Sequence, residues 1–367
     1  RRKEARTAPV TARGPRPRAA NTPQEAGPVL AAGWANLGSV PSEPGQSAFL
    51  DAAPGPLHPA ARAALAAAAD PLHGLSADPQ GRHRGGRAAA HVLDQARAKI
   101  GAALGVEHQC VSFLASSSQA LVAGLSGLSH ARRRLGSRMV ATAVDRSVVL
   151  NNASTEAIVP VDRDGRVSVA DFAAALTADT ALATLQFGNP EVGTRQPVPG
   201  AYAACRARGI PLLLDASAAL GRAEIPNDWD VLVGDGASFG GPPLGILVVR
   251  PGTRFTLPYA AEAEHRRALA APWPPLVAAL AAAWTAVLPD SADDAADGSR
   301  LIDQLRAHAM GWPDIEVLGD PIDRLPHVLT LSALYVDGER LVEELDRAGF
   351  AVGSGSACAS SRLEPSH

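Results

Sequence analysis

The 367-residue sequence predicts an α/β fold, a doubly wound and mainly parallel sheet, with a smaller α+β domain at its C-terminal side. Three observations predict it. Runs such as "PLLLD" (211–215) and "DVLVG" (230–234) are apolar without polar alternation, as strands buried on both faces are. Such runs alternate with stretches of helical periodicity, the order expected when helices cover a parallel sheet. From about residue 291 the texture changes to shorter strands and helices, after an acidic stretch, "DSADDAADG", that reads as a linker.

Taken in order, residues 1–45 are rich in Arg, Pro, Thr and Ala without periodicity and are expected to form a disordered tail. The large domain is expected over 46–290. It opens with a helix over "HPAARAALAAAA" (58–69) and another over "GRAAAHVLDQARAKIGAALG" (86–105). A strand "CVSFLA" (110–115) then leads into a helix from "SSSQALVAGLSGL" (116–128), and a strand "RMVATAV" (138–144) follows. Next come strand "TALATLQFG" (180–188), helix "GAYAACRARG" (200–209) and strands "IPLLLDAS", "WDVLVGDG" and "GILVVR". The last two flank a glycine-rich turn, "GDGASFGGP" (234–242), of the kind that lets backbone approach a ligand. The small domain, 291–367, reads as helix "SRLIDQLRAHAMG", strands "IEVLG" and "HVLTLSA", helix "GERLVEELDRAGF" and a closing glycine-rich loop.

The totals narrow the function. A hydrophobic content of 46% with 19% charged residues suits a chain that buries a large core. A formal net charge of −3 gives no reason to expect nucleic acid or a membrane surface as partner. The basic cluster "HARRRLG" (130–136) reads as a solvated helix end, and the alanine-rich "PPLVAALAAAWTAVLP" (274–289) as a buried helix too short to span a bilayer. The start at Arg1 is consistent with a fragment or processed product; without an apolar secretion core in the first residues, the expected location is the cytoplasm.

Three cysteines, Cys110, Cys205 and Cys358, are too few and too scattered for a disulfide framework or a zinc site, and no metal is expected. Cys110 on an apolar strand and Cys205 on a helix are expected to be packed. Cys358 differs: it stands among Gly353, Ser354, Gly355, Ser356 and Ala357, small neighbours that would leave a thiol accessible and able to ionise, so it is the candidate nucleophile.

That loop, "GSGSACASSRLEPS", closely resembles the active-site loop of the cysteine desulfurases, pyridoxal-phosphate enzymes of the class-V aminotransferase family, where Ser-Gly-Ser-Ala-Cys is followed by Leu-Glu-Pro-Ser. The likeness runs from Phe49 to His367. "AFLDAAPGPLHP" is similar to the family's opening strand, "DPQGRHRGGRAAAHVLDQARAKI" to its Asn-Pro-Ser-Ser-x-His-x-x-Gly-Arg segment and "GNPEVGTRQPV" to its Asn-Asn-Glu segment. "LLLDASAALG" is similar to the family's Asp-Ala-x-Gln-Ser run. The resemblance implies the pyridoxal-phosphate-dependent transferase fold and a dimer. In that family the cofactor is held as an imine on a lysine, and the loop cysteine takes sulfur from substrate cysteine as a persulfide, releasing alanine.

The departures are as informative as the matches. The family's His-Lys pair before Phe/Tyr-Gly-Pro aligns with Ala237 and Ser238, and only a primary amine forms the imine. The chain's two lysines are Lys3, in the expected tail, and Lys99, within a helix the family does not use for the cofactor. The phosphate-holding Gly-Gly-Thr-Glu corresponds to Ser116, Ser117, Ser118 and Gln119, which retain hydrogen-bonding capacity at a helix start. The ring-stacking histidine becomes Arg146, the glutamine that contacts the ring hydroxyl becomes Ala218, and the Arg-x-Gly-Thr segment lent by a second subunit has no match in "HRRALAAPWP". Asp215 matches the aspartate facing the pyridine nitrogen, and Asn189 is retained. The family continues past Leu-Glu-Pro-Ser to an arginine for the substrate carboxylate, whereas this sequence stops at His367.

The sequence therefore predicts a pseudoenzyme of this family: no covalent cofactor, pyridoxal phosphate held at most weakly through a residual pocket of Asp215, Asn189, Ser117 and Ser118, and an inactive Ser238. Its expected role is to bind an active desulfurase or a sulfur-acceptor protein as a homodimer or heterodimer. The alternatives are a cofactor-independent persulfide carrier using Cys358, and a pyridoxal-phosphate desulfurase proper.

Overall fold

The computed structural model describes residues 48–52, 55–70 and 75–354. The expected N-terminal tail, Cys358 and the Leu-Glu-Pro-Ser run lie outside the described residues. Seven strands form the central sheet: β2 (Val111–Leu114), β3 (Arg138–Thr142), β4 (Ile158–Val159), β5 (Thr180–Gln186), β6 (Leu212–Asp215), β7 (Val231–Asp235) and β8 (Gly245–Val249), in the order β2-β8-β7-β6-β5-β3-β4. β7, β6, β5, β3 and β4 pair in parallel, and β8 runs antiparallel to both β7 and β2. The sheet is thus mainly parallel, as the unbroken apolar runs require.

Alternate residues of each strand feed two layers. On one face Leu212, Leu214, Leu232, Ile246 and Val248 pack with helices α1 (Pro59–Ala68) and α2 (Arg84–Ala103), and on the other Leu213, Val231, Val233, Leu247 and Val249 pack under α3 (Ser117–Arg132). Burial on both sides leaves no polar face, and this is why the strand periodicity of two is invisible in the sequence. The crossovers include α4 (Ser147–Leu150), α5 (Val169–Ala175) and α6 (Val198–Ala207). The α5 helix was not anticipated, although Ser168 followed by Asp171 is a readable start: the Ser168 hydroxyl accepts from the Asp171 N–H.

Two expectations are corrected beyond the sheet. The acidic "linker" is helix: α7 (Pro274–Val287) runs through a 3-10 turn at Leu288–Asp290 into α8 (Ser291–Ala309). Asp293 and Asp294 in the first turn of α8, with Arg306 and His308 in its last, complement the helix dipole, so the acidic cluster favours a helix start here. The combined stretch Pro274–Ala309 is long and apolar enough to cross a membrane by length and composition. Its first half instead belongs to the core, where Val277, Leu280 and Ala283 are fully buried and Trp284 meets Phe239 edge to face. Cys110, in turn, closes a 3-10 turn (His108–Cys110) just before β2 rather than lying on the strand.

The remaining elements are an antiparallel pair, β9 (Ile315–Val317) with β10 (Leu331–Ala333), helix α9 (Gly338–Arg347), and β11 (Phe350–Ala351). β11 pairs in parallel with β1 (Ala48–Phe49), at the other end of the described chain.

Candidate functional site

The C-terminal ends of the parallel strands are where open α/β sheets place their ligands. Here β6 ends in Asp215, paired with Gln186 at the end of β5 and with Val233 in β7, and β7 ends two residues later in Asp235. Asp145 and Arg146 follow β3. Ser116, Ser117 and Ser118 open α3 directly after β2, with the Ser116 hydroxyl accepting from the Gln119 N–H as the helix cap. Four charged side chains and the start of a 16-residue helix therefore converge on one edge.

Asp215 is 2% exposed. Its Oδ1 accepts from the Ser217 N–H (3.0 Å) and hydroxyl (2.5 Å), while Oδ2 is buried without a hydrogen bond. Facing that oxygen at 3.6 Å is Nη1 of Arg146, itself buried and without a hydrogen bond. The other guanidinium nitrogen, Nη2, donates to the Ser118 hydroxyl at 2.6 Å. Arg146 thus spans from the start of α3 to the end of β6, the position the sequence assigns to a ring-stacking residue. Beside it, Asp145 is 1% exposed and its Oδ2 accepts from the Thr142 N–H and hydroxyl. Burial pushes the Asp145 carboxyl up to about 7; the Thr142 bonds oppose this shift and the charge of Asp215 adds to it.

Asp235 is a second anchor, and sequence reasoning missed it. Its Oδ1 accepts from the Ala237 N–H at 3.0 Å, capping the 3-10 turn Gly236–Phe239, and its Oδ2 accepts from the Ser117 hydroxyl at 2.6 Å. The signal was present: Asp235 ends its strand before a glycine-rich turn as Asp215 ends the neighbouring one. Ser238 lies on that turn. Its hydroxyl lies within hydrogen-bonding distance of the Leu220 carbonyl (2.6 Å) and the Asp235 carbonyl (2.7 Å), and its own carbonyl accepts from Arg222 Nε at 2.6 Å. The side chain is used in holding the turn. Gly240, at φ +74°, ends it in a conformation that glycine adopts without strain.

Asn189 is near this edge but turned to backbone work. Its Oδ1 accepts from the N–H groups of Glu191 and Val192, and its amide donates to Gln186 Oε1 at 3.1 Å. The structure therefore brings Asp215, Ser117, Ser118 and Ser238 to one edge of the sheet, each already engaged within the chain. Lys99, the only lysine among the described residues, is exposed on α2 and donates to the Thr285 hydroxyl of α7. Cys110 and Cys205 are buried, and burial pushes the Cys205 thiol up to about 12, an inert state. An open concavity of about 1070 Å³ lies at the far end of the β2–β8 pair, between Cys110, Arg250, Tyr259 and Arg267, away from these residues.

The sequence model of the aminotransferase class-V family matches residues 49–250. A cysteine desulfurase of Cereibacter sphaeroides is 32% identical over 308 residues, spanning 79% of this chain and 78% of that protein. The cysteine desulfurase IscS of Methanosarcina thermophila is 27% identical over 302 residues, 79% of this chain and 75% of that protein. Among solved structures, a NifS-like protein from Rickettsia africae superposes with a TM-score of 0.74 at 17% identity, covering 84% of this chain and 88% of that one. DndA from Streptomyces lividans gives 0.69 at 22% identity, covering 82% and 88%. The chain belongs to the class-V aminotransferase family, among the cysteine desulfurases, and has their fold.

That family depends on pyridoxal phosphate, and the described residues fit it only in part. The orphaned Oδ2 of Asp215 suits a ring nitrogen, and the start of α3 suits a phosphate. The position that must supply an amine carries a serine bonded to backbone, Arg146 stands against Asp215, and the Asp235 carboxylate sits on Ser117. A covalently anchored cofactor does not fit this donor set.

Proposed function

We propose that this chain is a cysteine desulfurase homologue without imine chemistry, which acts by binding an active desulfurase or a sulfur-acceptor protein. The observation that carries the reading is Ser238: at the place of the required amine stands a hydroxyl turned onto backbone carbonyls, that of Asp235 in its own turn and that of Leu220 after β6, with the sole described lysine on α2. The intact fold supplies a scaffold of the right shape for pairing with a relative, since a shared fold offers a shared subunit surface. Pyridoxal phosphate is held weakly and non-covalently if at all.

Two measurements test this. Purified protein mixed with pyridoxal phosphate, treated with borohydride and dialysed, is expected to retain no cofactor mass; a retained adduct on any side chain overturns the reading. The tagged chain, co-expressed with an active desulfurase of the same cell and, separately, with its acceptor protein, is expected to form a stoichiometric complex with one of them on size-exclusion chromatography. Elution of the chain alone in both experiments removes the partner role.

The sequence of the Cys358 loop favours a second reading, that of a persulfide carrier. In it the Cys358 thiolate attacks the outer sulfur of a donor persulfide, forming a new S–S bond while the donor thiolate leaves. Incubation with an active desulfurase and cysteine, followed by intact-mass analysis, would add one sulfur to the wild type and none to Cys358→Ala.

A further inference from the structure

The site lacks its amine, but two further charges, Arg146 and Asp235, stand against Asp215 and against the start of α3, the two features of the residual pocket that suit a ring nitrogen and a phosphate. Asp215 Oδ2 is buried and has no hydrogen bond, an arrangement that needs a neighbouring cation. Arg146 Nη1, equally orphaned, supplies one at 3.6 Å. At the other end, an anion approaching the first turn of α3 would meet the Ser117 and Ser118 hydroxyls. The first is already donated to the Asp235 carboxylate at 2.6 Å, and the second accepts from Arg146 at 2.6 Å. A phosphate would therefore have to displace a carboxylate of like charge, and a pyridinium would have to displace a guanidinium.

We propose that Arg146 and Asp235 form an internal stopper: Arg146 is the resident counter-ion of Asp215, Asp235 occupies the anion seat at the start of α3, and together they exclude pyridoxal phosphate independently of the missing lysine. The exclusion is a property of the site itself. It rests on the reading that Ser238 makes no imine, and it states a further consequence: restoring the lysine alone does not restore the cofactor. It also accounts for a buried aspartate kept at a strand end, because its neutralising charge is built in.

The test compares binding, not turnover. Full-length wild type, S238K, the pair R146H/D235N and the triple variant S238K/R146H/D235N are titrated with pyridoxal phosphate, followed by melting temperature and by cofactor absorbance after dialysis. Asp235→Asn keeps Oδ1 to accept from the Ala237 N–H and turns Nδ2 to donate to the Ser117 hydroxyl oxygen while removing the charge, and Arg146→His leaves a smaller side chain that can still face Asp215. Wild type and S238K are expected to show no melting shift and no retained cofactor. R146H/D235N is expected to bind at least tenfold more tightly than wild type, reversibly, and only the triple variant to keep the cofactor through dialysis after borohydride. Circular dichroism confirms that each variant is folded; if R146H/D235N is not, the single D235N variant carries the test through its own gain in affinity. Equal binding by wild type and the charge variants, or full retention by S238K alone, overturns the stopper. Neither outcome touches the partner reading, which the co-expression experiment decides separately.

Discussion

Asp145, the neighbour of Arg146, has a measurable consequence at the level of a single side chain. Its carboxyl, ordinarily near 3.8, is pushed up to about 7 by burial. Between roughly pH 4 and 7 the folded chain therefore holds a proton that the unfolded chain releases, so stability falls as pH rises through this window. Above about pH 7 the whole cost of burying the charge is present. Asp145→Asn keeps an oxygen to accept from Thr142 and cannot ionise. It is expected to match the wild type near pH 4.5 and to exceed it at pH 8 by on the order of 2 kcal/mol, read from urea unfolding at the two pH values. A difference between Asp145→Asn and wild type that does not grow from pH 4.5 to pH 8 would contradict this. At this scale the sequence was legible where chemistry is local: the serine at 238 can be read directly. The Asp235–Ser117 and Arg146–Ser118 contacts could not, because they join residues 118 and 28 positions apart that only the sheet order brings together.

Among elements, the segment after β8 is held in an unusual shape by one buried ion pair. Glu264, His265 and Arg266 have φ of +50°, +57° and +64°, a left-handed run that L-residues resist. Glu264 is 5% exposed; its Oε1 meets Arg97 Nη2 of α2 at 2.6 Å and its Oε2 accepts from the Phe113 N–H of β2 at 2.8 Å. Burial raises the Glu264 carboxyl and Arg97 counters it, so the pair is paired charge in a dry site. Glu264→Gln removes the buried one of two carboxylates on Arg97, leaving Asp94 Oδ1 at 2.8 Å from Nη1, and is expected to cost about 2 kcal/mol, with Arg97→Met in the same background recovering part of the loss. Arg266→Gly is expected to raise stability by up to about 1 kcal/mol, because relief of the left-handed strain exceeds the added freedom of the unfolded chain. Denaturation midpoints at unchanged slope measure both; a Glu264→Gln change under 1 kcal/mol would mean that the segment is shaped by something else. The motif match for this stretch failed at "HRRALAAPWP", and reasonably so, since its conformation depends on a partner residue 167 positions away. The expected helix "SRLIDQLRAHAMG" is present, but the first turns of α8 were missed for a different reason: acidic residues read as a linker until their place in a first turn is known.

Over the whole chain, fold class was legible and closure was not. The apolar runs imply a parallel sheet through double burial alone, whereas the pairing of β1 with β11 joins two strands of two residues, one exposed and one half-buried, too short to show any period in the sequence. That pairing is nonetheless the clasp between the two ends of the described chain: the Ala48 N–H donates to the Gly349 carbonyl and the Leu50 N–H to the Ala351 carbonyl, both at 2.8 Å. Phe49 and Leu50 are half exposed or more, so the clasp is held by backbone and contributes little burial. Leu50→Pro deletes one of the two donors and is expected to cost on the order of 1 kcal/mol, leaving the core and its melting nearly unchanged. Its effect should be local: trypsin cleavage after Arg347, at the end of α9 and just before β11, should quicken several-fold relative to cleavage at other sites. Loss of the whole cooperative transition would show instead that the two ends are integral to the core, and an unchanged cleavage rate would show that α9 and β11 are held without β1. The distinction bears on function because residues 351–354 precede the Cys358 segment in the chain, so whatever fixes β11 sets where that segment begins.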